Sequence, residues 1–239
     1  MRYIYGPVNS RRLGLSLGIS IIPPKTCNFD CLYCQLGRTA RLSAVRQEYL
    51  KTEEVISELK LWLDNNPSEA KRLDYLTISG SGEPTLNLNI GRLIKEIKRL
   101  TAAPVAVITN GALLADPQAR RDLMEADLVV PSLDAADEKA FARINRPHAG
   151  IKLEQVIEGL AQFRKDFKGK LWLEIMLVKG VNDDIRLIKK LKAAIEKIRP
   201  DRIQLNSPVR ATAEKNIFPA GRKKLEKIKE ILGERCEII

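Results

Sequence analysis

The chain has 239 residues, of which 44% are hydrophobic and 30% are charged, and its formal net charge is +11. This composition is typical of a globular protein with a substantial core. No apolar run reaches the roughly 18 residues of a membrane-spanning helix, and the first residues lack the apolar core of a signal peptide. We therefore expect a cytoplasmic protein with reduced thiols, no membrane partner and a single domain over residues 1–239.

The positive charge is concentrated towards the two ends of the sequence. Residues 1–50 carry a net charge of +5 and residues 186–239 carry +8, whereas residues 51–185 carry −2. This distribution indicates an anionic partner, either RNA or a phosphorylated metabolite. Solvated lysine-rich helix faces would give the same excess, and an aromatic content of 5% argues against a base-stacking surface for single strands.

The apolar pattern predicts six strands, each followed by a helix. An N-terminal arm (1–15) leads into strands at 13–22, 75–79, 105–109, 128–130, 171–178 and 202–205. The first predicted helix starts at Thr52, which we take as its N-cap, and another starts at Asp116-Pro117. Asn182 is the predicted N-cap of a helix at 183–198. Further helices are predicted at 90–100, 137–144, 153–167 and 221–232, the last within a C-terminal helical segment (211–239).

Alternation of strands and helices implies parallel strands joined by right-handed crossovers. The short, almost wholly apolar strands indicate a sheet that is covered on both faces. A doubly wound sheet and a barrel both fit this pattern. Polar or glycine-rich segments follow every predicted strand, as in barrels whose active sites are built from the loops at the carboxyl ends of the strands. The sequence therefore predicts an α/β fold and favours a barrel.

Three of the four cysteines, Cys27, Cys31 and Cys34, lie within eight residues with the spacing C-x3-C-x2-C. Soft thiolates bind zinc, copper(I) or iron–sulfur clusters. A structural zinc site needs four ligands, and the fourth would have to be the distant Cys236 or the sole histidine, His148. Three thiolates on a cubane cluster leave one iron without a protein ligand. The spacing favours such a cluster, with zinc as the alternative.

This motif, with the aromatic Tyr33 directly before the last cysteine, resembles the cluster motif of the radical S-adenosylmethionine (SAM) superfamily. Gly80-Ser81-Gly82-Glu83-Pro84 resembles that family's glycine–glutamate segment, with Ser81 interrupting the glycine pair. The resemblance implies a partial (β/α)6 TIM-like barrel with a [4Fe-4S] cluster and SAM as cofactors. It also implies reductive cleavage of SAM to a 5′-deoxyadenosyl radical, with a reductant such as flavodoxin or ferredoxin.

The candidate contacts to SAM or substrate follow the predicted strands, where ordinary turns are the alternative interpretation. Asp134 serves equally well as an N-cap, and Glu174 falls inside an apolar strand, where a carboxylate must find a partner or face the lumen. Cys236 and His148 are expected to be bystanders. The predicted contacts are Gly80, Ser81, Gly82, Glu83, Thr109, Asn110, Ser132, Asp134, Glu174 and Asn206.

Arg11-Arg12-Leu13-Gly14, together with the segments 23–27 and 79–86, resembles a subgroup related to the tRNA wyosine-synthesis enzymes. Those enzymes carry further cysteines for a second cluster, and this chain has only Cys236 to spare. The first and last strands of an open barrel are its edges, so we expect Arg11, Arg12 and Arg210 to flank a lateral gap that admits an anionic substrate.

The predicted function is therefore hydrogen abstraction from an anionic substrate by the 5′-deoxyadenosyl radical. Two other functions remain open at this point. One is an activase that generates a glycyl radical on a partner protein, and the other is a non-catalytic protein that binds SAM or a cluster. The substrate, the fate of SAM and the oligomeric state are not specified by the sequence.

Overall fold

The computed structural model describes all 239 residues. It contains ten strands and eight α-helices. The strands are β1 (Ile4–Ser10), β2 (Gly14–Ile19), β3 (Thr26–Cys27), β4 (Arg41–Leu42), β5 (Tyr75–Ile78), β6 (Val105–Thr109), β7 (Leu128–Pro131), β8 (Lys170–Met176), β9 (Arg202–Asn206) and β10 (Cys236–Ile238). The helices are α1 (Thr52–Asn65), α2 (Pro67–Ala70), α3 (Ile90–Leu100), α4 (Pro117–Asp122), α5 (Glu138–Ile144), α6 (Leu153–Asp166), α7 (Ile185–Ile198) and α8 (Arg222–Leu232).

Eight strands form one sheet in the order β1-β2-β5-β6-β7-β8-β9-β10. Every neighbouring pair from β2 to β10 is parallel, and only β1 runs antiparallel to its neighbour β2. The six predicted strands correspond to β2 and to β5 through β9. The predicted α/β fold, a partial parallel barrel, is confirmed.

The helices cover the sheet with apolar stripes. In α3, Ile90, Leu93, Ile94 and Ile97 are buried, which is the i, i+3, i+4, i+7 spacing of one helix face. They belong to a core cluster of 54 buried residues that the sheet and the helices share. Removing this much apolar surface from water is the main source of stability for the fold. None of the helices combines the length and the apolarity that crossing a membrane requires.

The two ends of the chain each contain a strand that the sequence did not predict. The N-terminal arm includes β1, whose register with β2 shifts between Tyr5 and Val8, so its side chains do not alternate regularly. The C-terminal segment includes α8 as predicted and also β10, which is only three residues long. Short or irregular strands leave little periodic signal in a sequence.

Two predicted helix caps, Thr52 and Asn182, are wrong, and the alternative interpretation of Asp134 as a cap is wrong as well. Thr52 is the first residue of α1, and the preceding Lys51 makes no side-chain cap. Asp184, not Asn182, caps α7, and Asp137, not Asp134, caps α5. Asn182 and Asp134 are instead buried, and each makes hydrogen bonds to residues that are distant in the sequence.

Candidate functional site

The carboxyl ends of the parallel strands open into a cavity of about 630 Å³. The turn between β1 and β2 and the loop that carries the three cysteines also contribute to its wall, as do residues 206–211. Polar side chains are tolerated at the strand ends because the backbone ladder stops there and the side chains reach solvent. This cavity therefore collects most of the predicted site residues.

The loop with the three cysteines begins in β3 and is closed by parallel pairing of β3 with β4. Phe29 and Leu32 are buried in the core, where the Phe29 ring packs edge-to-face on Phe141 at 5.4 Å. The backbone N–H of Leu32 donates to the Ile144 carbonyl. These contacts attach the loop to the core, and all three cysteines line the cavity.

Cys27, Cys31 and Cys34 all line the cavity and form no disulfide. Burial, followed by the nearby Glu83 carboxylate, raises the pKa of Cys27 to about 12. Burial also raises the pKa of Cys31 and of Cys34. The ionised form of these thiols is therefore disfavoured unless a positive charge lies beside it.

The structure offers hydrogen-bond donors to these sulfur atoms. The Phe29 N–H lies 3.4 Å from Cys27 Sγ, and Asn110 Nδ2 lies 3.6 Å from the same atom. Asn145 Nδ2 lies 3.5 Å from Cys31 Sγ. Asn28 Nδ2, next to Cys27, is buried without a partner. Such donors surround the cysteine sulfurs of iron–sulfur clusters, where they tune the reduction potential.

No three His, Cys, Asp or Glu side chains are grouped so that they could hold a single metal ion. In a cubane cluster each cysteine binds a different iron, and the thiols need not converge on one point. The number, softness and placement of the three thiols therefore fit a [4Fe-4S] cluster.

The glycine turn, residues 80–84, packs directly against the start of the cysteine loop. A Cβ atom on Gly82 would lie 1.9 Å from the Thr26 carbonyl oxygen, so only glycine fits there. The Lys25 N–H donates to the Ser81 carbonyl at 2.7 Å. Gly80 has a φ of 114°, which an L side chain rarely adopts. The turn and the loop therefore form one continuous wall of the cavity, with Gly80, Ser81 and Gly82 lining it.

Glu83 is 2% exposed and accepts four hydrogen bonds. Its Oε1 accepts from the backbone and the hydroxyl of Thr85 and from the Thr109 hydroxyl, and its Oε2 accepts from the Asn110 N–H. Burial raises the pKa of Glu83, although these hydrogen bonds oppose the shift. The carboxyl group therefore joins the end of β5 to the end of β6. The predicted contact of Glu83 with SAM or substrate stays a prediction.

Asn110 connects β6 to the cysteine loop. Its Nδ2 donates to Asn28 Oδ1 as well as to Cys27 Sγ, and its Oδ1 accepts from the Ala112 N–H. Thr109 is buried and bonded to Glu83. Both residues line the cavity, and so does Ser132 at the end of β7.

Asp134 is buried and lies outside the cavity lining, unlike the other predicted contacts. It accepts hydrogen bonds from the Tyr33 hydroxyl, from Asn145 Nδ2 at 2.7 Å and from the Met176 N–H at 2.8 Å. Burial raises its pKa to about 6. Asp134 thus connects the sheet to the cysteine loop through Tyr33.

Glu174 faces the cavity and forms an ion pair with Arg12. Asn206 Nδ2 donates to Glu174 Oε1 at 3.4 Å. Arg11 reaches Asn206 Oδ1 at 3.5 Å and the Ile239 carbonyl oxygen at 3.2 Å. The turn between β1 and β2 is thereby linked to β8, to β9 and to Ile239. Both arginines line the cavity, and their predicted place beside a lateral gap stays a prediction.

The roles of several residues around the site were not predicted from the sequence. Tyr33 was visible in the cysteine motif, but its partner Asp134 is 101 positions away. No local sequence pattern pointed to Asn145, because the Cys31 thiol to which it donates lies 114 positions away in the sequence. Cys236 is buried in β10, and His148 lies outside the cavity, where its Nδ1 accepts from the Gly150 N–H.

Comparisons with known proteins agree with this geometry. The family model described as the Radical SAM superfamily matches residues 21–191. The chain is 43% identical over 235 residues to a Brachyspira hyodysenteriae protein named GTPase Obg, covering 98% of the chain but 34% of that protein. It is 38% identical to a UPF0026 protein of Methanocaldococcus jannaschii, covering all of the chain and 73% of the relative. The chain therefore spans about a third of the first relative and most of the second.

Solved structures support the same fold. A radical SAM methyltransferase from Sphaerobacter thermophilus superimposes with a TM-score of 0.71 at 16% identity, covering 94% of this chain and 65% of that one. TYW1 with a lysine-pyruvate adduct bound gives a TM-score of 0.63 at 22% identity, covering 91% and 72%. With the family model matching more than two thirds of its residues, the chain belongs to the radical SAM superfamily, whose members use a [4Fe-4S] cluster and SAM.

Proposed function

We propose that this chain is a radical SAM enzyme in which Cys27, Cys31 and Cys34 each bind one iron of a [4Fe-4S] cluster. The observation that carries the proposal is the placement of three unpaired thiols from one loop in the wall of a cavity of about 630 Å³. When bound, the cluster supplies the electron that cleaves SAM and yields a 5′-deoxyadenosyl radical, which abstracts hydrogen from the substrate.

The chain's own residues provide the binding surface for SAM. The glycine turn exposes backbone N–H and carbonyl groups that a ligand can approach closely, since Gly80 and Gly82 have no side chains. Ser132 and Asn206 supply polar groups on the opposite strands. Glu83, Thr109 and Asn110 hold the ends of β5 and β6 in register with the cysteine loop. In this proposal the chain binds SAM, orients it and shields it from water.

The substrate in this proposal carries negative charge. Four cationic side chains line the cavity, Arg11, Arg12, Lys25 and Arg210, against two carboxylates, Glu83 and Glu174. Glu83 is buried in the wall and Glu174 is paired with Arg12. The cavity therefore attracts an anion. Radical SAM enzymes also need a reductant, for which we propose a flavodoxin- or ferredoxin-type electron carrier.

Anaerobic reconstitution with iron and sulfide tests this function. We expect about four irons per chain and, after reduction with dithionite in the presence of SAM, 5′-deoxyadenosine that is detectable by chromatography. Replacing any one of Cys27, Cys31 and Cys34 with alanine should abolish the product and lower the iron content. Cys236→Ala is the matched control and should retain both, because this thiol is buried in β10. One tetrahedral zinc per chain, or an iron content that the three substitutions leave unchanged, would overturn the proposal.

The same preparation separates the two alternatives. An activase would give a glycyl radical signal when it is mixed with its partner protein. A non-catalytic binding protein would hold the cluster and SAM without forming 5′-deoxyadenosine.

A further inference from the structure

One aromatic ring is built into the wall of the cavity with its surface exposed. Tyr5 in β1 is 40% exposed and lines the cavity, and its hydroxyl lies 2.7 Å from Ser79 Oγ. Tyr5 pairs with Gly18 across the two strands. A Cβ atom on Gly18 would come within 2.1 to 2.5 Å of three atoms of the ring, and one on Gly80 would come within 3.3 Å. The Tyr5 ring therefore packs on Gly18 and against Gly80, in a space that a side chain at either glycine would occupy.

Three cations in the same wall form no ion pair with an aspartate or a glutamate. Arg12 is neutralised by Glu174, whereas Arg210 donates only to Gln35 Oε1, at 3.0 Å, and Arg11 only to the Asn206 and Ile239 oxygens. Lys25 makes no ion pair, and its backbone has a φ of 59°, a conformation that is strained for lysine. Strained residues cluster at ligand-binding positions. No acidic side chain therefore neutralises Arg11, Lys25 or Arg210, and their charges can act on an anionic ligand.

We propose that the substrate is a free nucleotide whose base stacks on the Tyr5 ring and whose phosphate groups are bound by Arg11, Lys25 and Arg210. An exposed aromatic ring alone could pack against any apolar ligand, and a set of cations alone could bind any anion. A flat ring and free cations in one cavity together select a molecule that combines a planar base with several negative charges. The inference rests on the proposed function, because the same cavity has to bind SAM.

Calorimetry on the anaerobically reconstituted protein tests the inference. The probes are ATP, GTP, CTP and UTP, the corresponding nucleosides, inorganic tripolyphosphate and a short single-stranded RNA. At least one nucleoside triphosphate should bind about tenfold more tightly than both its nucleoside and tripolyphosphate, because stacking and phosphate binding each contribute. Tighter binding of the RNA than of every triphosphate would overturn the proposal of a free nucleotide.

Variants separate the contribution of the Tyr5 ring, which binds the base, from that of the cations, which bind the phosphates. Tyr5→Ala should weaken binding of the triphosphate about tenfold and leave tripolyphosphate binding unchanged, while Tyr5→Phe should bind nearly as well as the wild type. Gly18→Ala should reproduce the effect of Tyr5→Ala, because its methyl group displaces the ring. Arg210→Ala and Lys25→Ala should weaken binding of both the triphosphate and tripolyphosphate.

SAM affinity in the same variants provides the decisive comparison. Tyr5→Ala should leave it unchanged, and a loss of SAM affinity with unchanged nucleotide affinity would assign the ring to SAM and overturn the inference. Iron content and circular dichroism identify any variant that fails to fold, and Tyr5→Phe then remains the informative substitution. Wild-type protein that holds four irons and cleaves SAM but binds no triphosphate would refute the inference alone. Protein without iron or SAM cleavage would refute the proposed function.

Discussion

At the scale of single residues, the side chains around the cysteine loop act mainly on one another. Asn145 donates to Cys31 Sγ and to Asp134, and Asn110 donates to Cys27 Sγ and to Asn28. Each asparagine connects a strand end or helix end to one thiol. A hydrogen bond to a cluster sulfur becomes stronger as the cluster gains negative charge on reduction, so such donors raise the reduction potential.

Asn145→Ala should therefore lower the reduction potential of the reconstituted cluster. Loss of a hydrogen bond worth about 1 kcal/mol more in the reduced state corresponds to about 40 mV. A redox titration followed by electron paramagnetic resonance measures the shift. Gln162→Ala is the control, because the Gln162 side chain bonds only to Asp166 on the helix surface. A potential that is equal in both variants would show that Asn145 does not act on the cluster.

The ion pair between Arg12 and Glu174 belongs to the same scale. The Glu174 side chain is 8% exposed, so removing Arg12 leaves a buried carboxylate without a counter-charge. Arg12→Leu should lower the free energy of unfolding by about 3 kcal/mol in a urea titration. The double variant Arg12→Leu, Glu174→Leu should recover part of this loss, since no unpaired charge remains. A double variant less stable than Arg12→Leu would contradict this explanation.

At the scale of elements, the glycine turn and the cysteine loop pack too closely for a side chain between them. Gly82→Ala should cost about 1 to 3 kcal/mol of stability and reduce iron retention, because the new methyl group meets the backbone carbonyl of Thr26, which no rotamer change can move. Gly221→Ala is the matched control, since a Cβ atom there meets nothing within 4 Å. Thermal unfolding and iron analysis of both variants check the prediction. Equal iron content and stability would show that the two segments separate without cost.

The attachment of β1 to α1 gives a prediction about pH. Glu58 in α1 accepts hydrogen bonds from the backbone N–H groups of Arg2, Tyr3 and Ile4. Burial raises the pKa of Glu58, but these bonds outweigh it and the net shift is downward from 4.5. Its stabilising contribution is therefore present above the pKa of the unfolded chain and is lost as the pH falls through the lower folded value.

Glu58→Gln should remove this part of the acid sensitivity. Unfolding free energies of the wild type and of the variant should differ at pH 7 and converge as the pH falls below about 4. Urea titrations across this range measure the difference. A difference that stays constant with pH would show that the carboxylate charge does not hold β1.

The sequence predicted the elements far better than their connections. The strand β6 and the helix α3 were predicted with their observed bounds, because the apolar pattern of the strand ends at Asn110-Gly111 and that of the helix ends at Leu100, shortly before Pro104. The three cysteines and the glycine turn were also visible, since each is a local pattern. Local periodicity carries no information about partners such as Glu174 and Arg12, which are 162 positions apart.

At the scale of the whole molecule, Arg11 and Arg12 tie the turn between β1 and β2, at one end of the sheet, to strands near its other end. Arg11 reaches β9 and the chain beyond β10, and Arg12 reaches β8. The single domain predicted over residues 1–239 stays a prediction. Within the barrel, the six core strands place the glycine turn, the cysteine loop and the free cations around one cavity. Because these elements converge on one cavity, we propose that the cluster, SAM and the substrate share this site.

Mössbauer spectroscopy of protein reconstituted with iron-57 tests most directly whether three cysteines leave one iron free for SAM. Spectra are recorded before and after SAM is added. We expect about a quarter of the iron signal to change when SAM is added, while the signal of the remaining three irons, each bound by a cysteine, stays the same. A spectrum that SAM leaves unchanged, or a preparation that contains no cubane cluster, would contradict this expectation.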